Sequence, residues 1–244
     1  MEDRRRIIEQ HMNNAEQLEQ AAGGAPAPGF LDFYENTRQA LAELLSQLKS
    51  DDSRVEPFEL RVAMMPPGQA VVDESIKELC RLPYRTPDGP IPACPGITRG
   101  FKGCPPHAPD AELTKDLLRQ GTSLLVMQFV GREGSAPQGE IHRFIATAVE
   151  ALKNAGYTIL ETYASGPCKV CPKGCGDTEE CRFPDRRLFA FEACGFWVPA
   201  ICRAAAEFPV QGDGPREIRW IKNWRLETQD TDSIAYTTGI LLKR

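Results

Sequence analysis

Long apolar runs are missing from this chain. The longest, residues 124–130, falls far short of the roughly 20 apolar residues a membrane-spanning helix needs. No membrane association is expected. The opening Met1-Glu2-Asp3-Arg4-Arg5-Arg6 does not lead into the apolar stretch of a signal peptide, so a cytoplasmic protein is expected. Positive charge is not in excess either. The 29 Lys and Arg face 34 Asp and Glu, and the net charge of −5 argues against nucleic acid as a partner. Common catalytic signatures are also lacking: there is no Ser-His-Asp pattern, no phosphate-binding glycine loop and no HExxH.

Two things are plentiful. At 41% hydrophobic residues, the 244-residue chain can pack a core without crosslinks. It also carries nine cysteines, at positions 80, 94, 104, 168, 171, 175, 181, 194 and 202. Cytosolic thiols stay reduced, so clustering there points to metal or redox chemistry rather than disulfides. The odd count and uneven spacing agree.

The hydrophobic pattern predicts an α/β fold: a small central sheet flanked by helices, cysteine-rich metal-binding loops, and an additional N-terminal helical segment. Residues 1–50 read as that helical extension. Within it, a helix over 1–20 and a Gly/Pro/Ala linker over 21–29 precede a stronger helix over 30–48, striped by Phe30, Tyr34, Thr37, Leu41, Leu44, Leu45 and Leu48. Residues 58–244 read as a cysteine-rich α/β domain. A strand is expected over 58–64, with Phe58, Leu60, Val62 and Met64 facing one way. A short helix over 70–80 and an irregular loop over 82–109 follow. Asp110 caps a helix ending at Gly121. A strand over 123–130, a helix through Ile141, Phe144, Ile145, Ala148 and Leu152, and a strand over 158–164 suggest a parallel pair with a crossover. Helices are expected from about Arg186 and over 199–207, then strands over 217–226 and 233–242.

The densest cysteine run, Cys168, Cys171, Cys175 and Cys181, has the spacing C-x2-C-x3-C-x5-C. It follows the 158–164 strand directly, where a rigid sheet can hold a site-bearing loop. Four thiolates in one short loop can wrap a compact centre. Lys169, Lys173, Arg182, Arg186 and Arg187 lie nearby and can offset its negative charge. Structural zinc usually takes two separated cysteine pairs. Iron–sulfur clusters often take a tight run of short gaps. The spacing favours a cluster, with zinc as the alternative, because ligand type alone does not choose.

A second constellation lies upstream. Cys94-Pro95 and Cys104-Pro105-Pro106-His107 sit in the irregular loop. Cys94 and Cys104, with some of Cys80 and Cys194, are expected to hold a second centre. Cys80 ends a helical stripe and Cys194 follows Glu192-Ala193, so each reads equally as core. Cys202, among Ile201, Ala204 and Ala205, reads as core, as does His142 on its helix. His107 reads as a surface or hydrogen-bonding residue. Trp197, Trp220 and Trp224 read as packing rather than as a ligand pocket.

Together these blocks resemble the predicted metal-binding protein family known as domain of unknown function 2284. The resemblance rests on Cys94 and Cys104-Pro105-Pro106-His107-Ala108-Pro109, then on Gly166-Pro167-Cys168-Lys169-Val170-Cys171, Cys181-Arg182-Phe183-Pro184 and Glu192-Ala193-Cys194-Gly195. The closing Ala235-Tyr236-Thr237-Thr238-Gly239-Ile240-Leu241-Leu242 is similar to the family's last strand. It covers roughly residues 58–244, although Cys80 stands farther before Cys94 than the family's pattern usually has. It implies metal binding without implying a reaction. The expectation is one 4Fe–4S cluster, with a second upstream, in a protein that transfers electrons to a partner oxidoreductase or cofactor protein. The alternatives are an enzyme using a three-cysteine cluster with an open iron, and a zinc-stabilised interaction module. No catalytic residue is assigned.

Overall fold

The structure is a computed structural model that describes residues 10, 13–14, 17–18, 26, 28–86, 89–132, 138–175, 180–212, 214–215 and 233–243. In chain order, helix α1 (Pro28–Ser50) leads to strand β1 (Glu59–Met65), helix α2 (Glu74–Lys77), and the short strands β2 (Tyr84–Thr86) and β3 (Gly89–Ile91). Helices α3 (Pro95–Thr98) and α4 (Ala111–Gln120), strand β4 (Ser123–Arg132), helix α5 (Gln138–Asn154) and strand β5 (Thr158–Ala164) follow. Strand β6 (Phe189–Ala190), helix α6 (Val198–Ala205), and strands β7 (Pro209–Gln211) and β8 (Ser233–Lys243) complete the described elements.

Side chains alternate across a strand, and here both faces are covered. In β4, Leu125, Met127 and Phe129 join one core while Leu124 and Val126 join the other. The first core also takes Phe30, Leu41 and Leu45 of α1, and Ile141, Phe144, Ile145 and Leu152 of α5. The second takes Ala111 and Leu118 of α4, and Ile201 and Ala205 of α6. The result is an α/β fold, a mixed six-stranded sheet between two helical layers. The two faces also explain β1. Leu60, Val62 and Met64 point into the first core as their alternation predicts, and Ala63 and Met65 are buried in the second.

Helix α1 is seated by its apolar stripe and by the Tyr34 hydroxyl, which donates to the Pro209 carbonyl at 2.9 Å. The start of α4 is set by Asp110, whose carboxylate accepts from the Leu113 N–H at 2.7 Å. Asp110→Ala will cost about 1 kcal/mol, the usual worth of an N-cap, measurable by urea unfolding.

Three expectations need correction. The strand–helix–strand unit predicts neighbouring parallel strands, yet the sheet order β6-β5-β8-β4-β1-β7 puts β8 between β4 and β5. Strand β8 pairs antiparallel with both, so the unit is a split βαβ. No helix starts at Arg186. A single turn over Pro184–Arg186 is followed by β6, parallel to β5, because Leu188, Phe189, Ala190 and Phe191 are all buried at the sheet edge. The 82–109 loop contains a two-stranded antiparallel ribbon, β2 with β3, and the short helix α3. The strand expected over 217–226, with Trp220 and Trp224, lies outside the described residues, as does most of the helix expected over 1–20. Among the described residues, no helix is long and apolar enough to cross a membrane.

Candidate metal centre

None of the nine cysteines is in a disulfide. Eight of them belong to the two sets expected from sequence, one dispersed along the chain and one contiguous.

The first group comes from four separate segments. Cys80 lies on the turn Glu78–Arg81, and its carbonyl accepts the Cys94 N–H at 3.0 Å. Cys94 stands at the N-cap of α3, and its carbonyl accepts the Ile97 N–H at 2.9 Å. Cys104 is fixed by its own N–H donating to the Phe101 carbonyl at 3.0 Å, and by its carbonyl accepting from His107 and Ala108. Cys194 ends the turn Glu192–Cys194, after which Gly195 takes a left-handed conformation (φ 84°). The Asp73 N–H donates to the Gly195 carbonyl at 2.9 Å, tying this turn to the start of α2.

Charge on several of these thiols would act on their neighbours. Burial pushes the Cys80 thiol far above its usual range, and the nearby Glu192, Cys94 and Cys104 push it further. Burial likewise raises Cys104, with Cys94, Glu192, Cys194 and Cys168 adding to the effect. Cys194 is raised by burial, then by Glu161, with Glu192 and Cys80 among the smaller causes. Cys80 and Cys194 are both buried, and charge on each would act on the other.

The second group is the contiguous run. Cys168 leaves the end of β5, and the N–H groups of Val170 and Leu188 donate to its sulfur. The next residue is anchored from behind, since the Lys169 N–H donates to Nδ1 of His142 at 3.0 Å. His142 is fully buried, and burial pushes its pKa down to about 3, so it is a neutral acceptor. The structural role expected for His142 is therefore specific: it holds the loop. Cys171 closes a turn with the Gly174 N–H at 3.0 Å, and the Arg182 guanidinium donates to the Gly174 carbonyl. Cys171, Cys175 and Cys181 are partly exposed, and Cys171 is influenced by Cys175, Arg182 and Cys181 after its own burial. Residues 176–179 of this loop lie outside the described residues.

The remaining candidates sort as expected. Cys202 is core, with Gln128 and Thr237 near its sulfur at 3.8 Å. His107 is exposed, 3.2 Å from the Lys102 ammonium. Trp197 is buried beside Val71, Ile76 and Leu79.

Glu192 was not singled out by its spacing. It is buried among the first group, and burial pushes its pKa up to about 7. Its signal was available in Glu192-Ala193-Cys194, an acidic residue two positions from a candidate ligand.

Cysteine is the residue type that a soft metal ion takes as thiolate. A buried thiol stays protonated unless nearby positive charge outweighs its burial, and Lys77, which acts on Cys80 and Cys194, does not. A metal supplies the compensating charge and releases those protons. Backbone N–H groups aimed at sulfur tune such a centre. Among the described residues, no three His, Cys, Asp or Glu side chains are drawn together as one metal ion requires. The case for metal therefore rests on this chemistry and on kinship. Residues 94–226 match the family model described as predicted metal-binding protein (DUF2284), and the chain belongs to that family. Comparison with curated proteins and with solved structures gave no significant match.

Proposed function

We propose that this is an iron–sulfur protein that passes electrons to a partner oxidoreductase or cofactor-bearing protein. In this reading Cys168, Cys171, Cys175 and Cys181 hold one 4Fe–4S cluster, and Cys80, Cys94, Cys104 and Cys194 hold a second. The observation that supports it is membership of a metal-binding family in a chain whose cysteines include the run C-x2-C-x3-C-x5-C and a dispersed set whose thiol charges would act on Cys80 and Cys104.

Bound clusters would supply one-electron redox chemistry. The chain's own groups would set how readily it occurs. Backbone N–H donors at Cys168, and the Arg182 charge near Cys171, favour the thiolate form. Burial around Cys80, Cys104 and Cys194 disfavours added negative charge there. Four cysteines in each set support electron transfer over an open-site enzyme, because no iron would be left without a protein sulfur.

The test is metal and acid-labile sulfide analysis of protein purified without oxygen, with electron paramagnetic resonance before and after reduction. About eight iron and eight sulfide per chain are expected, four for each cysteine set, with signals appearing on reduction. Stoichiometric zinc without sulfide would overturn the proposal in favour of an interaction module. A spectrum that shifts on adding small thiols or carboxylates would favour the enzyme.

A further inference from the structure

Cys80 and Cys94 stand at the two ends of the β2–β3 ribbon. The strands pair antiparallel, with Tyr84 opposite Ile91 and Thr86 opposite Gly89. Antiparallel pairing brings the residues that flank such a ribbon face to face. Here the backbone joins them directly: the Cys94 N–H donates to the Cys80 carbonyl at 3.0 Å. Helix α3, with Cys94 at its N-cap, packs against the Glu78–Arg81 turn that holds Cys80.

That bond limits how far apart the two residues can be. One N–H···O=C bond of this length keeps the Cα atoms within about 7 Å, and near the roughly 5.5 Å of a bonded strand pair. A disulfide bridges Cα atoms about 4.4–6.8 Å apart. The sulfurs are also near enough for charge on Cys94 to act on Cys80. Access is graded: Cys94 is half-buried, whereas Cys80 is 6% exposed. Cys94 has one rival partner. The Cys104 sulfur lies beside Gly96, where an added Cβ would collide with it, and charge on Cys94 acts on Cys104 too. Cys104, however, is bonded through its backbone to Phe101, His107 and Ala108, in a turn of its own.

We infer that Cys80 and Cys94 are a redox pair, at which a hydroperoxide oxidises the chain to a disulfide that pins the base of the β2–β3 ribbon. Only two sulfurs must meet, so the inference goes beyond the iron–sulfur reading and does not depend on it. With hydrogen peroxide, the Cys94 sulfur attacks one peroxide oxygen and the O–O bond breaks. Cys94 becomes a sulfenic acid, and the other oxygen leaves as hydroxide, which takes the Cys94 proton. The Cys80 sulfur then attacks the Cys94 sulfur. The S–S bond forms, the S–O bond breaks, and the oxygen departs as water with the Cys80 proton. The two thiols lose two electrons and the peroxide gains them, ending as two waters.

The test exposes the full chain, prepared without oxygen, to hydrogen peroxide, then denatures it and alkylates it with iodoacetamide. Trypsin places the two cysteines in separate peptides, residues 78–81 and 86–99, and Cys104 in residues 103–115. The expected product joins 78–81 to 86–99, is two hydrogens lighter than its parts, and is lost on reduction with dithiothreitol. In Cys80→Ser, Cys94 has no resolving thiol, and 86–99 should instead gain the two oxygens of a sulfinic acid. Wild-type protein in which both cysteines are alkylated would overturn the inference. So would 86–99 joined to 103–115, or Cys94 gaining oxygen while Cys80 is alkylated. Metal and sulfide analysis tests the iron–sulfur reading separately, so either can fail without the other.

Discussion

Replacing Cys94 and Cys104 together by alanine will halve the iron and sulfide of anaerobically prepared protein. Replacing Cys171 and Cys181 will remove the other half. The expectation follows from where the thiols lie. Charge on Cys94, Cys104 and Glu192 acts on Cys80, and charge on Cys94, Cys194 and Glu192 acts on Cys104. Cys171 sits with Cys168, Cys175 and Cys181. Two of four ligands cannot be replaced by the neighbouring set, whose own sulfurs are committed. Cys202→Ala, in a residue bedded against Gln128 and Thr237, should leave the metal content unchanged and serves as the control. A metal total that fits one cluster and survives Cys94→Ala/Cys104→Ala would show that the deep thiols are only packing.

Gly103→Ala will destabilise the protein by about 3 kcal/mol, at the upper end of ordinary overpacking. A Cβ at Gly103 would come within 2.1 Å of the Leu188 carbonyl oxygen. That oxygen is backbone, so no side-chain rotation relieves the clash. Segment 188–190 must move, and with it the N–H bond to Cys168 and the Ala190 bond to Gly103. For a chain of this size the melting temperature should fall by about 10 °C. Metal content should fall in both sets, because the moved segment touches both. Gly29→Ala, where an added Cβ meets nothing within 4 Å, should change stability by no more than about 1 kcal/mol. Equal melting temperatures for Gly103→Ala and wild type would show that the contact between the sets is loose.

Much of the layered architecture was readable because it is local. The apolar run of β4, the helical stripe of α5 and the Asp110 cap each follow from neighbouring residues. Strand pairing is not local. Nothing in residues 123–164 announces that β8, some 70 positions downstream, enters between β4 and β5. Short apolar stretches are ambiguous between helix and strand. For that reason Leu188, Phe189, Ala190 and Phe191 suggested a helix where the fold makes a short strand and a turn. The contiguous cysteine run was plain from spacing. The dispersed set was half plain, with Cys94 and Cys104 marked by the prolines after them. Cys80 and Cys194 were not separable from core residues, because a buried thiol packs as readily as it ligates. Glu192 was hidden because a buried carboxylate has no pattern of its own.

X-ray absorption at the iron edge, on oxygen-free protein, tests most directly whether the 168–181 cysteines grip an inorganic cluster. A sulfur shell together with an iron–iron shell is expected in wild type, with both shells persisting at half the iron content in Cys94→Ala/Cys104→Ala. Wild-type protein with no iron edge, or with iron showing light-atom neighbours and no iron–iron shell, would contradict it.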